Sequence, residues 1–253
     1  MRIGIIGCGN MGGAIATALV DAGKDEVFAT DHTKAKVEAT GAKYLSLDAL
    51  LLQSEMLVLA VKPQVIPDLW ETLHQASGKR WISLAAGIPL ETLSAKLGTH
   101  EIVRFMPNIA AKAKASVTAV CPDREASMET KEEAMAIALS FGSAFELPEK
   151  QMAAFIGISG SGIAYCYEFL HAMALGGTRE GIPYQKSMEI ARDTLESTVA
   201  LQKATGKNPI DLMTGVCSAG GTTIEGIAAL AENSFDHAVI EAVTASAEKS
   251  KRM

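Results

Sequence analysis

A short apolar run that stops at a glycine-rich string decides most of what this chain can fold into. RIGIIG, residues 2–7, leads straight into GCGNMG and sets Gly7, Gly9 and Gly12 in the spacing G-x-G-x-x-G. The spacing alone is a weak signal. It gains meaning because a strand pattern precedes it and a helical pattern, Met11 to Asp21, follows it. Gly7 permits a tight turn, Gly9 lets backbone approach a pyrophosphate, and Gly12 lets helix and strand pack closely. The helix N-terminus then offers N–H groups and the positive end of its dipole to phosphate. A plain tight turn in an α/β fold is the competing reading, and the βαβ context disfavours it.

The first ~150 residues repeat that alternation. RIGIIG, EVFAT (26–30), EMLVLAV (55–61), RWISLA (80–85) and EIVRFM (101–106) read as strands, with helical patterns such as Leu90 to Leu97 between them. SVTAVCP and SAFELP extend the sheet late in this half. Strand–helix alternation predicts a parallel sheet with helices on both faces. Strand signals stop after Glu149, and Ile163–Leu175, Tyr184–Lys203 and Asp236–Lys251 carry helical spacing. Gly181 ends one helix and Pro183 suits the first turn of the next. The expectation is therefore a dinucleotide-binding α/β domain over residues 1–150 and an all-helical domain over residues 151–253.

Asp31 lies 19 residues past Gly12, at the end of the second strand pattern. An acid there hydrogen-bonds the ribose 2′-OH and favours NAD. His32, Lys34 and Lys36 follow it and offer cationic partners to a 2′-phosphate. Asp31 as N-cap of a helix starting near Thr33 is an equal alternative, so the cofactor choice stays open with a lean to NAD. AVKP (60–63), AAG (85–87) and MPN (106–108) also fall at the C-terminal ends of strands, where open α/β sheets bind ligands. Lys62 taken alone reads as a solvated charge.

Composition excludes several classes. The 253 residues are 48% hydrophobic with a formal charge of −6, and no Lys/Arg run forms a basic stripe, so a general nucleic-acid binder is not expected. Cys8, Cys121, Cys166 and Cys217 are scattered without metal-ligand or redox spacing, so neither a metal site nor a disulfide framework is expected. A reducing cytoplasm is the natural setting. The strand pattern follows Met1 directly, with no signal peptide ahead of it. No run of about 18 apolar residues occurs, so no membrane span is expected. None of the five histidines sits in a motif.

The helical half carries one unusual string, CSAGGTTIEG (217–226). Thr222 and Glu225 fit an S/T-x-x-E capping box, which leaves Gly220, Gly221 and Thr223 unexplained. Side-chain-free backbone ahead of a helix N-terminus is a ready carboxylate site. The hydroxyls of Ser218 and Thr223 add hydrogen-bonding groups.

In order along the chain, GCGNMG, AVKP, AAG, MPN, SGSGIAY (159–165) and CSAGGTT resemble the pyrroline-5-carboxylate reductase family over nearly the whole length, with CSAGGTT the most specific element. The chain departs from that pattern at Ile109 and Ala110 after MPN, at Ile163 and at Ala219. The resemblance implies an N-terminal Rossmann domain and a C-terminal helical dimerisation domain. It also implies reduction of 1-pyrroline-5-carboxylate to L-proline with NADPH or NADH, the last step of proline synthesis. Carried over, Gly7, Cys8, Gly9, Asn10, Met11 and Gly12 hold the pyrophosphate. Ala60, Val61, Lys62 and Pro63 lie along the nicotinamide ribose, and Asn108 lies near the nicotinamide. Ser218, Gly220, Gly221, Thr222 and Thr223 hold substrate, with Thr223 near the ring nitrogen as the polarising group. Ser159 and Ser161 read as packing and capping residues.

Such chemistry needs no triad and no metal, because a protonated imine accepts hydride readily and the cofactor carries the hard step. The resemblance and the apolar helical half together imply a homodimer or larger homo-oligomer. Two rivals stand beside this reading. One is a Rossmann-plus-helices dehydrogenase of a small hydroxy acid, with Lys186, Lys203 or Lys207 as acid/base. The other is a dinucleotide-binding regulatory paralogue with weak catalysis.

Overall fold

Strand β1 (Arg2–Ile6) sits inside the protein because both faces of its ribbon are covered. Ile3 and Ile5 are fully buried in one apolar cluster, and Ile6 is buried in another. The same alternation marks β4 (Met56–Leu59), where Met56 and Val58 join the first cluster and Leu57 and Leu59 the second. A strand apolar on both faces belongs to a sheet with helices above and below. Burying each such side chain is worth about 1.5–3 kcal/mol.

The computed structural model describes residues 1–23 and 25–252. After β1 come α1 (Asn10–Ala22), β2 (Glu26–Thr30), α2 (Lys34–Glu38) and β3 (Lys43–Tyr44). Next are α3 (Leu47–Gln53), β4, α4 (Trp70–His74), β5 (Arg80–Ser83) and α5 (Leu90–Leu97). β6 (Ile102–Met106), β7 (Ser116–Pro122), α6 (Met128–Leu139) and β8 (Gly142–Glu146) complete the sheet. Helices α7 (Met152–Phe155), α8 (Gly162–Arg179), α9 (Tyr184–Thr205), α10 (Pro209–Gly215), α11 (Thr222–Glu232) and α12 (Phe235–Lys251) follow.

The strand order is β3-β2-β1-β4-β5-β6-β7-β8. Every pair is parallel except β6–β7, which is antiparallel. The sheet is thus parallel as expected, apart from that one pair. The link between β6 and β7 holds only a short 3₁₀ turn, Ile109–Ala113, and a parallel return needs a crossover of a dozen or more residues. The chain reverses between β1 and β4, so the C-terminal ends of β1, β2 and β4 lie side by side, the usual ligand crevice of such sheets.

The chain divides into two compact units. One is Met1–Gly160 with the last residues from Ser246, and the other is Ser161–Ala245. The second is helical and poorly buried. Gly162, Leu170 and Ala174 of α8 and Ser187 and Ala191 of α9 are buried, but α10 and α11 bury no residue at all. Pro183 is the N-cap of α9 rather than a first-turn residue, and Gly181 turns the chain with φ of 98°. Tyr165 donates to the Ala242 carbonyl at 3.0 Å, and Phe169 packs on Phe235 with ring centroids 6.0 Å apart. Tyr167, Ile190, Leu201, Ile210, Val216 and Ile240 remain exposed. So much exposed apolar area marks an interaction surface.

One helical stretch, Glu149–Arg179, is long and apolar enough to cross a membrane by length and composition, with mean hydropathy of 1.2. Length and composition alone do not distinguish such a stretch from the core helix of a soluble protein. The stretch is not one regular α-helix, since Ile156–Gly160 forms a π-helical turn. Within that turn Ser159 is buried, donating to the Val117 carbonyl at 3.2 Å and accepting from the Asn108 amide at 3.1 Å. Those contacts fit the packing role expected of it.

Candidate active site

The glycine-rich loop has the geometry its spacing predicts. Gly7 has φ of 98°, and its N–H donates to the Thr30 carbonyl at 2.8 Å, tying the loop to β2. A Cβ on Gly12 would lie 1.9 Å from the Gly7 carbonyl oxygen, so only glycine lets α1 start against β1. Gly9 differs: a Cβ there meets no protein atom within 4 Å. Gly9 is also the N-cap of α1, without a side-chain cap, so the N–H groups of the first turn are left for another acceptor. A bare backbone facing open space at an uncapped helix end fits a pyrophosphate.

AVKP lies against this loop. Ala60 N–H donates to the Ile6 carbonyl at 2.9 Å, and a Cβ on Gly7 would touch Val61 Cγ1 at 2.8 Å. Lys62 is exposed and opens the 3₁₀ turn Pro63–Leu69. A groove of about 610 Å³ runs over the loop and along α1, lined by Cys8, Gly9, Asn10, Thr40 and the cations Lys36, Lys62, Lys112 and Lys114. Its volume is in the range of small-molecule and cofactor clefts, roughly 300–1,000 Å³. Thr40, Lys112 and Lys114 were not singled out from sequence. The only clue was that the two lysines follow MPN, on a loop whose position beside α1 is a tertiary fact.

Asp31 is not the N-cap of α2. That position is Thr33. Asp31 Oδ2 accepts the Cys8 N–H at 2.8 Å, Oδ1 accepts the Thr33 N–H at 2.9 Å, and Lys36 Nζ lies 3.9 Å from Oδ1. Burial alone would raise its pKa. The N–H groups of Thr33 and Cys8, then the charges of Lys36 and His32, outweigh that and hold the carboxyl below its ordinary value. Asn108 is buried, and its side chain is committed within the protein. Its Oδ1 accepts from Ala110 at 3.2 Å and Val117 at 3.4 Å, and its Nδ2 donates to Ser159. Asn108 thus shapes the MPN loop.

In the helical unit, Ser218 to Gly221 form a turn closed by the Gly221 N–H to the Ser218 carbonyl at 3.0 Å, with Gly220 at φ of 66°. Gly221 is the extended N-cap of α11, and Thr222 is already helical. The expected capping box is therefore not formed, because Glu225 sits one position too far along to reach back to the N-cap. No side chain caps α11 among the described residues, so the N–H groups of Thr222, Thr223 and Ile224 face outward beside two exposed threonine hydroxyls. Ser218, Gly220, Gly221, Thr222 and Thr223 are thereby gathered on one turn. The lysine candidates look otherwise: Lys186 is exposed and paired with Glu189 at 2.8 Å.

Residues 149–253 match the family model for pyrroline-5-carboxylate reductase dimerisation, and residues 2–87 match that for coenzyme F420-dependent NADP oxidoreductases. The chain is 33% identical over 259 residues to the pyrroline-5-carboxylate reductase of Aquifex aeolicus, covering 100% of this chain and 97% of that protein. The chain belongs to the pyrroline-5-carboxylate reductase family. The Plasmodium falciparum family member, solved with NADP bound, superposes with a TM-score of 0.86 at 27% identity, covering 100% of this chain and 97% of that one. The Streptococcus pyogenes enzyme does so at 0.87 and 32%, covering 100% and 99%. The fold is the family's, a Rossmann-type sheet followed by helices, and the cofactor is a nicotinamide dinucleotide.

The cysteine beside the cofactor loop is chemically quiet. Burial first, and then the Asp31 carboxylate, push the Cys8 thiol up to about 11, and burial does the same to Cys121. A raised thiol pKa leaves almost no thiolate below pH ~9. Iodoacetamide at pH 8 is expected to leave Cys8 and Cys121 unmodified in the folded protein and to label both after denaturation, read by peptide mass spectrometry. Labelling of Cys8 in the folded protein would contradict that assignment.

Proposed function

We propose that this chain reduces 1-pyrroline-5-carboxylate to L-proline, with NADPH or NADH held over the glycine-rich loop and the substrate carboxylate held at the N-terminus of α11. The observation that carries this reading is the pairing of two uncapped helix N-termini in one family member. One lies behind bare Gly9 over a lysine-lined groove, and the other lies behind Gly221 and two threonines. Both suit anions, and the substrate and the cofactor each carry one.

The reduced nicotinamide supplies the hydride. The protein's part is to bind, orient and polarise. Gly7, Cys8, Gly9, Asn10, Met11 and Gly12 form the pyrophosphate cradle, Ala60, Val61, Lys62 and Pro63 flank the nicotinamide ribose, and Asn108 holds the neighbouring loop in shape. The N–H groups of Thr222 and Thr223, with the Ser218 hydroxyl, receive the carboxylate, while bare Gly220 and Gly221 let it approach. The Thr223 hydroxyl bonds the ring nitrogen and polarises the imine. A hydroxyl is a weak acid, so its contribution is orientation and charge stabilisation rather than outright protonation. Nicotinamide and imine carbon must meet at about 3–3.5 Å for transfer.

The exposed apolar helices of the second unit are covered by a second copy, giving a homodimer or larger assembly. The same demand accounts for the apolar face of Glu149–Arg179 without a bilayer. A cytoplasmic setting is part of this reading, and the four free thiols, such as a reducing compartment keeps, support it. With a formal charge of −6, its partners are small molecules rather than nucleic acid.

The test is direct. Purified protein given 1-pyrroline-5-carboxylate and either reduced cofactor is expected to form proline as nicotinamide absorbance falls. Tight nucleotide binding without proline would overturn the reading. Thr223→Val, which keeps shape and removes the hydroxyl, is expected to lower kcat about 10- to 100-fold, the worth of one hydrogen bond to a charged group. Thr223→Ser should recover most of it. A valine variant within twofold of wild type would remove Thr223 from the chemistry.

A further inference from the structure

Three cations follow Asp31, and the structure separates them. Lys34 Nζ is turned to Glu38 at 3.6 Å and lies 5.6 Å from the centre of the Tyr44 ring. His32 is exposed and lines no part of the groove. Lys36 alone of the three lines the groove, with its ammonium 3.9 Å from Asp31 Oδ1 and its side chain more than half exposed. That separation is at the outer limit of an ion pair, so the ammonium is weakly held and the groove is open to it.

The Asp31 carboxylate is differently placed. It is 12% exposed, and each oxygen already accepts a backbone N–H, one from the glycine-rich loop and one from the turn into α2. An acid committed in this way secures the loop to the end of β2 and has its charge offset by Lys36. It is a poor candidate for rejecting a phosphate on the neighbouring ribose.

We propose that Lys36 is the specificity-determining residue that lets this groove accept the 2′-phosphate of NADPH, and that Asp31 acts as a tether of the glycine-rich loop rather than as a selector for NAD. In that role Lys36 turns from Asp31 to the phosphate, where an ammonium forms a charge-assisted hydrogen bond. Lys62, Lys112 and Lys114 also line the groove, Lys114 paired with Asp21 at 2.7 Å, and in this proposal they serve charges common to both cofactors. Lys36 stands in α2, the short helix that follows β2, and its ammonium reaches back to Asp31 beside the end of that strand, where the adenosine ribose of a Rossmann site lies. The inference rests on the groove being the dinucleotide site.

Calorimetric titration without substrate tests it, using NADP⁺, NAD⁺, adenosine 2′,5′-bisphosphate and AMP. Lys36→Met is expected to weaken NADP⁺ and the bisphosphate about 10- to 100-fold while leaving NAD⁺ and AMP within about twofold, and Lys36→Arg should restore the difference. Asp31→Asn is expected to weaken NADP⁺ and NAD⁺ by similar factors, because a carboxamide oxygen replaces only one of the two acceptors. Lys36→Met acting equally on phosphorylated and unphosphorylated ligands, or on neither, would overturn the proposal. So would a gain in NADP⁺ affinity alone from Asp31→Asn. Wild-type protein that binds none of the four would instead refute the dinucleotide site itself.

Discussion

Gly221→Val is expected to lower kcat/KM for proline formation by at least about 100-fold while leaving nucleotide affinity unchanged. A Cβ at this position would lie 2.2 Å from Ser218 Oγ and 3.1 Å from the Ser218 carbonyl oxygen. The carbonyl belongs to the turn that the Gly221 N–H closes, so the turn itself must shift by a few tenths of an ångström, and the two methyl groups of valine add to that demand. Shifting it re-aims the first N–H groups of α11 and moves the Thr223 hydroxyl from the place proposed for the ring nitrogen. Loss of one pre-aimed donor in an enzyme site costs about 10²–10³ in kcat, and here several move together. Steady-state kinetics with a parallel nucleotide titration separates the two effects. Activity within a few-fold of wild type would remove this turn from the substrate site.

The second large effect lies in the glycine-rich loop, where two glycines are needed for opposite reasons. Gly12→Val puts a side chain into the Gly7 carbonyl, so α1 must lift from β1. Overpacking of this kind costs typically about 1–3 kcal/mol, and the phosphate-facing helix end is displaced with it. Both melting temperature and nucleotide affinity are expected to fall. Gly9→Val adds a side chain where no protein atom stands, so the melting temperature should hold. The same side chain fills the space assigned to the pyrophosphate, and affinity for both cofactors is expected to fall more than about 100-fold, since backbone approach there is what the glycine provides. Thermal melts and titrations of the two variants check this. A Gly9→Val protein that still binds nucleotide tightly would place the pyrophosphate elsewhere.

The α/β alternation of the first unit was legible because strands buried on both faces write continuous apolar runs, as MLVL does in β4. β3 was not legible. It is two exposed residues, Lys43 and Tyr44, held by pairing with β2. The reversal at β7 was hidden too, since its residues alternate like those of any buried strand and only the length of the preceding link sets its direction. The glycine spacing predicted the tight turn at Gly7 and the close packing at Gly12 because steric limits act on neighbouring residues. The contacts of Asp31 with Cys8, Thr33 and Lys36 depend on a loop and a turn that meet in space, and sequence left three cations equivalent there. At α11 the capping-box pattern was present in the letters but displaced by one residue, because the left-handed turn at Gly220 delivers Gly221 as the N-cap.

Isotope transfer tests the central claim most directly. Purified protein, 1-pyrroline-5-carboxylate and nicotinamide cofactor carrying deuterium at C4 on one face, prepared in both configurations, should yield proline with one deuterium on the former imine carbon from one configuration and unlabelled proline from the other. Proline that gains no deuterium from either, or cofactor that stays reduced throughout, would contradict hydride delivery from a nicotinamide fixed over the glycine-rich loop.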